Sequence, residues 1–222
     1  MLEAIPRPML EDSAYEAIKA AILSLSLAPG TPLIESSLAK QLGISKTPVR
    51  AGLTRLEKEG LVELMPHKGW RVARLTLQDV EDIFEVRSVL QAYCVRILTE
   101  NITNEQIEEL RDIVSRNKAA LTKGQRGKAN DNLGEFDACI SNSLPNDRLR
   151  TVLTNLREQL RLIGAISRRI PDRVEKSIAE HQRVLDAIEA HDAERAQQLI
   201  RAHIESVRTD FVQAMALLED EK

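Results

Sequence analysis

Residues 35–60, ESSLAKQLGISKTPVRAGLTRLEKEG, constrain the fold more than any other stretch of the chain. Leu38 and Leu42 lie four apart on one helical face, and Gly43 supplies a stop. Ser45 then stands as the N-cap of a second helix that ends at Gly60. Two short helices joined by a tight glycine-containing turn make a helix-turn-helix. An earlier helix is expected over 12–27, with Tyr15, Ile18, Ile22 and Leu25 at helical spacing. Asp12 or Ser13 would cap it, and Ala-Pro-Gly at 28–30 would stop it. After Gly60 the period changes. LVELM and WRVARL alternate apolar and polar residues on either side of Pro66-His67-Lys68-Gly69, the pattern of a β-hairpin. Helices followed by a hairpin predict a winged helix-turn-helix.

From Thr76 onward no strand signal occurs. Thr76 and Asp79 form a capping box that opens a helix to about residue 100, and Thr103 caps another that runs to Gly124. The polar stretch 124–132 reads as a loop or a weak helix start. Further helices are expected at 133–144, at 147–169 with Pro171 as the stop, at 173–190, and from 192 to about 219. The expected fold class is therefore mainly α. A winged helix-turn-helix with a short β-hairpin wing occupies residues 1–75, and a six-helix antiparallel bundle occupies 76–222. Only 3% of the residues are aromatic, which suits helices packed through aliphatic side chains and disfavours β-sandwiches and barrels.

The formal net charge of −3 conceals an asymmetry. Residues 40–74 carry eight Lys and Arg against three Asp and Glu, whereas residues 76–222 carry 21 against 26. A small basic module joined to an acidic one fits a nucleic-acid-binding head on an effector or dimerisation domain. The two cysteines, Cys94 and Cys139, are too few for a disulfide framework and fit a reducing compartment. No apolar run approaches the roughly 18 residues of a membrane span. The N-terminus lacks the basic and apolar regions of a secretory signal. A soluble, cytoplasmic protein is expected.

A recognition helix needs small polar and basic residues in its first turns to reach phosphates and base edges. Ser45, Lys46, Thr47 and Arg50 fill those turns, while Val49, Leu53 and Leu56 face Leu38 and Leu42. Lys68 and Arg71 lie at the wing, where cations reach an adjacent groove or phosphates. With these residues in view, 14–74 resembles the DNA-binding head of the GntR family of bacterial transcription regulators. The likeness is carried by LAPGTPLIESSLAKQLGISKTPVRAGLTRLEKEGLVE and by the wing PHKGWRV. The family's run Ser-Arg-Thr-Pro-Val-Arg-Glu-Ala-Leu corresponds to Ser45–Leu53, with Lys46, Ala51 and Gly52 at the three changed positions. Ser36 stands where some members have an Arg that contacts DNA, and Thr47, Arg50 and His67 match. The resemblance implies that Ser45, Lys46, Thr47, Arg50, His67, Lys68 and Arg71 face DNA.

The remainder is similar to the FCD effector-binding domain of the FadR-like GntR subgroup, in its six-helix, VanR-like branch. EDIFEVRSVLQAY, FDACISNSLPNDRL and EHQRVLDAIEAHDAERAQQLIRAHI carry that likeness. Many FCD domains hold a divalent metal through one Asp and three His. The resemblance places Asp137, His181 and His203 at three of these positions, with Ser141 in place of the fourth. Imidazole and carboxylate together suit Zn, Ni, Mn or Fe. The rival arrangement is a metal-free pocket in which His181 and His203 bond an anionic effector directly. Arg87 matches an Arg of the first FCD helix, and either binds an effector carboxylate or pairs with Glu81, Glu85 or another helix. Ser141 faces the same effector, Cys139 reads as a core residue, and His191 as a surface residue at a helix end. The function expected is a homodimeric regulator, a repressor, that binds a palindromic operator under control of a small carboxylate-type metabolite. The alternative is a metal-dependent hydrolase built on the Asp/His cluster.

Overall fold

The computed structural model describes residues 7–167, 170 and 172–220. The chain divides into two compact units. One takes in the chain up to Leu75 together with Glu158–Leu162, and the other takes in Thr76–Arg157 and Ile163 onward.

The first unit opens with α1 (Arg7–Leu23), followed by β1 (Pro32–Leu33), α2 (Glu35–Leu42), α3 (Lys46–Lys58), β2 (Val62–Met65) and β3 (Gly69–Val72). The helix-turn-helix and its wing are present. β2 and β3 form the expected antiparallel hairpin, and β1 adds a third strand in the order β1-β3-β2. The two residues of β1 are too short for any alternation to show in the sequence. α1 begins about five residues before the expected cap. Asp12 and Ser13 are therefore interior, and the Ser13 hydroxyl donates back to the Met9 carbonyl at 2.6 Å instead of capping. Leu25 lies beyond the helix, in a left-handed turn at φ 62°.

Gly43 is left-handed at φ 67°, and its N–H returns to the Ala39 and Lys40 carbonyls, which stops α2. Tyr15, Ile18 and Ile22 of α1 meet Val49, Leu53 and Leu56 of α3 in the core, with Trp70 and Val72 of β3 closing it. Gly52 is the point of closest approach between these helices. A Cβ there would lie 3.1 Å from the Tyr15 nitrogen and 3.2 Å from its Cα, closer than side chains ordinarily sit.

The second unit is all helical among the described residues: α4 (Leu77–Asn101), α5 (Asn104–Thr122), α6 (Arg126–Asn142), α7 (Asp147–Ser167), α8 (Arg173–Glu189) and α9 (Ala193–Asp220). Both capping boxes form, Thr76 with Asp79 and Thr103 with Gln106. Most of the polar stretch 124–132 belongs to α6, which starts at Arg126 and not at 133. Its weak amphipathicity hid it, since only residues such as Ala129 and Leu133 pack inward there. The expected stop at Pro171 lies outside the described residues. The α8–α9 turn is made by His191, exposed and left-handed at φ 54°. α9 packs along α4 and α8, and α6 contacts α4, α5 and α8. That packing brings three helices together around one point in the core.

Candidate nucleic-acid interface and candidate metal centre

Helical periodicity decides what the first unit presents to solvent. Pro48, Val49, Leu53 and Leu56 of α3 are buried, which leaves Lys46, Thr47 and Arg50 exposed on the opposite side. Ser45 occupies the N-cap position with extended backbone (φ −77°, ψ 168°), but its hydroxyl makes no capping bond. It too is exposed.

Arg50 is exposed yet held in place. Its Nε and Nη2 donate to the two carboxylate oxygens of Glu35, both at 2.9 Å, and Trp70 Nε1 donates to the same carboxylate at 3.2 Å. These bonds, Arg50's foremost, keep the Glu35 carboxyl below its ordinary range. At the wing, His67 sits in a left-handed turn at φ 60°, and His67 and Lys68 are both exposed. Arg71 lies on the strand, where its Nε donates to Glu63 across the hairpin at 2.6 Å. It is a cross-strand ion pair more than a wing-tip cation.

In the second unit Asp137 (α6), His181 (α8) and His203 (α9) converge. One ligand atom from each lies within 4.8 Å of the others, and all three residues are buried. The two Nε2 atoms are 3.3 Å apart. Phe136 stacks on the His181 ring with centroids 4.5 Å apart, which fixes its plane. Burial, reinforced by the neighbouring His203, pushes the His181 imidazole down to about 3, so it is neutral with a lone pair to offer. Burial opposes ionisation of Asp137, but the Arg87 guanidinium outweighs it and holds the carboxyl below its usual range.

A carboxylate beside two imidazole nitrogens is a donor set for a borderline divalent ion. Two nitrogens bound at 2.0–2.1 Å in tetrahedral array stand about 3.3 Å apart, which matches the Nε2 separation. The residues fit a metal.

Arg87 forms its ion pair with another helix, and not with Glu81 or Glu85 of its own. Its guanidinium bonds the Asp137 carboxylate directly, while Glu81 is taken by Arg208 at 3.3 Å. Ser141 is buried one turn from Asp137, and its hydroxyl donates to the Asp137 carbonyl at 2.8 Å. That bond directs it to its own helix as a back-bonding serine. Arg87, Gln91, Asp137, Ser141 and, from α7, Leu153 and Arg157 line a small, partly open cavity of about 20 Å3. It holds roughly one water, so a metabolite needs the side chains to part. Cys139 is buried as expected.

Sequence reasoning missed Gln91, Arg157, Phe136 and Glu180. Gln91 Nε2 donates to the Asp137 carbonyl at 3.1 Å. Glu180 Oε2 accepts from His203 Nδ1 at 2.7 Å. Only Glu180 carried a signal, as an acidic residue on a buried helix next to His181.

A winged head with an exposed basic helix face, joined to an all-helical domain with a buried polar centre, defines a DNA-binding regulator. Residues 10–72 match the gntR family of bacterial regulatory proteins, and residues 82–206, more than half of the chain, match the FCD domain. The chain belongs to the GntR family of bacterial transcription regulators, in the group that carries an FCD domain. It is similar to the HTH-type transcriptional regulator YdhC of Bacillus subtilis, 24% identical over 190 residues that make up 85% of each chain. It also resembles the HTH-type transcriptional repressor RspR of Escherichia coli, 23% identical over 79% of this chain and 87% of that one. The solved structure of McbR/YncC from E. coli superposes with a TM-score of 0.78 at 22% identity, covering 96% of this chain and 99% of the other. These relatives and domains are those of transcription regulators and not of enzymes, which counts against the hydrolase reading.

Proposed function

We propose that the protein is a cytoplasmic, homodimeric repressor that releases or retunes its operator when a small carboxylate enters the helical domain. The observation that carries this reading is the convergence of Asp137, His181 and His203 on one buried point, with the Arg87 guanidinium bound to the same carboxylate. On the DNA side, α3 enters the major groove with Ser45, Lys46, Thr47 and Arg50, while His67 and Lys68 reach beside it and Arg71 steadies the hairpin. Glu35 presents Arg50 already oriented. One small head buries too little DNA for tight specific binding, so two heads read two half-sites about 10 base pairs apart. Repression follows the sense of the relative named as a repressor.

In the helical domain, Asp137, His181 and His203 hold a divalent metal, of which zinc, nickel, manganese and iron suit the donors. When bound, the metal supplies a fixed cation that takes up an anionic oxygen. Arg87 and Arg157 offer a second and third cation to a carboxylate. For a carboxylate to bind, Arg87 turns from Asp137 to the incoming anion, and Leu153 and Arg157 of α7 give way. That movement links the pocket to the rest of the chain.

Two experiments test the reading. Arg50→Ala is expected to abolish specific operator binding, a loss of roughly 1–3 kcal/mol per contact, with thermal stability retained; wild-type affinity in this variant refutes the DNA assignment. Zinc titrated calorimetrically into metal-stripped protein is expected to bind in the micromolar range or tighter, more tightly in Ser141→His and more weakly in His203→Ala. No uptake by wild type, with an unresponsive Ser141→His variant, refutes the metal and leaves an anion pocket around His181, His203 and Arg87.

A further inference from the structure

Behind His203 lies a charged network that the DNA and effector sites do not use. Arg173, the first residue of α8, follows a left-handed Asp172 (φ 54°) and is only 2% exposed. Its guanidinium donates to Ser177 Oγ at 3.0 and 2.8 Å, to Ser206 Oγ at 2.9 Å, to Asp210 at 2.6 Å and to Glu180 Oε2. Glu180 is buried too, and its other oxygen accepts from the Ser206 hydroxyl at 2.7 Å.

Burying an Arg and a Glu seldom adds stability over an apolar pair, because desolvation offsets their attraction. What this pair does is aim a carboxylate. With Arg173 and Ser206 both donating to it, Glu180 can only accept, so the remaining bond to His203 Nδ1 at 2.7 Å requires the proton on Nδ1. With the proton on Nδ1, the ring nitrogen left to offer a lone pair is Nε2, the atom 3.3 Å from His181 Nε2.

We infer that Glu180, locked by Arg173, is the positioning residue of the centre: it sets the tautomer and ring orientation of His203 and so presents Nε2 to the point shared with Asp137 and His181. The inference rests on the metal reading for its consequence, but the tautomer itself is a property of the metal-free chain. A carboxylate behind a ligating imidazole also raises its basicity, and losing such a partner typically costs about 10–100-fold in metal affinity.

The test uses the full chain, stripped of metal, in wild type, Glu180→Ala, Glu180→Gln and Ser206→Ala. Two-bond proton–nitrogen NMR of the histidine rings reads the tautomer, and zinc titration reads affinity. Wild type is expected to carry the His203 proton on Nδ1. Glu180→Gln should keep that tautomer, because its carbonyl still accepts from Nδ1, but lose about tenfold in zinc affinity with the charge. Glu180→Ala should give a mixture of tautomers and a larger loss. Ser206→Ala, which touches the network but not His203, should change neither by more than about threefold. A folded Glu180→Ala protein with the wild-type tautomer overturns the inference. So does a wild-type chain that carries the His203 proton on Nε2, which decides the matter if the alanine variant does not fold. If wild type takes up no zinc, the metal reading fails, and the tautomer arm still judges Glu180.

Discussion

Arg87 shows how one side chain sets the state of a site. Its guanidinium neutralises Asp137 in the place where a metal's charge would act, so cation and guanidinium compete for one carboxylate. Arg87→Gln keeps much of the length and removes the charge. It is expected to tighten zinc binding in the absence of any anion by roughly tenfold, about 1.4 kcal/mol, and to abolish the response to added carboxylates. Thermal shifts with and without zinc and a dicarboxylate check both halves, since a ligand that binds only the folded state raises the melting temperature by mass action. A variant that binds zinc more weakly than wild type refutes the competition. Arg50 is the corresponding residue of the head. Its fork is already engaged by Glu35, so in the proposed DNA contact its presentation depends on a neighbour fifteen residues earlier.

Among the elements, α5 shows what a local signal secures. Thr103 Oγ1 accepts from Gln106 N at 3.3 Å, and the Gln106 side chain accepts from Thr103 N at 3.0 Å. Two otherwise unpaired donors are satisfied at one helix start. Thr103→Ala is expected to cost about 1 kcal/mol, read as a lower urea midpoint with unchanged slope, and DNA binding at low temperature should be unaffected. An unshifted midpoint removes the cap from the account. Elements without such punctuation are less legible in the sequence. α1 starts earlier than its apparent caps, because Ser13 bonds back along a helix already formed. The start of α6 is polar and packs through a few small or aliphatic residues. Strand β1 exists because β3 offers it an edge, which its own two residues do not announce.

For the molecule as a whole, the buried core accounts for both cysteines. Cys94 and Cys139 are buried and unpaired by any disulfide. Burial pushes the Cys94 thiol up to about 11, and burial together with Glu109 pushes Cys139 up to about 12. Native protein at pH 8 is therefore expected to resist iodoacetamide, with both thiols modified promptly once urea unfolds the chain. Mass spectrometry of the alkylated protein reads the outcome, and labelling of the native chain at the unfolded rate refutes it. Among the described residues no helix is long and apolar enough to cross a membrane.

The sequence by itself determined the helix-turn-helix, the hairpin, the six later helices and the exposed face of α3. Each of these follows from periods of 3.6 or 2 residues and from caps that act within four residues of themselves. It also placed Asp137, His181 and His203, through their likeness to a family pattern. Only the tertiary structure decided the partners of the charges. Arg87 meets Asp137 fifty residues away, Arg50 is caught by Glu35, which Trp70 also holds, and Glu180 is held between Arg173 and His203. A long charged side chain has several partners within reach along its own helix. Which one it takes depends on what helix packing brings near and on how much water that packing removes, and neither is written in local spacing.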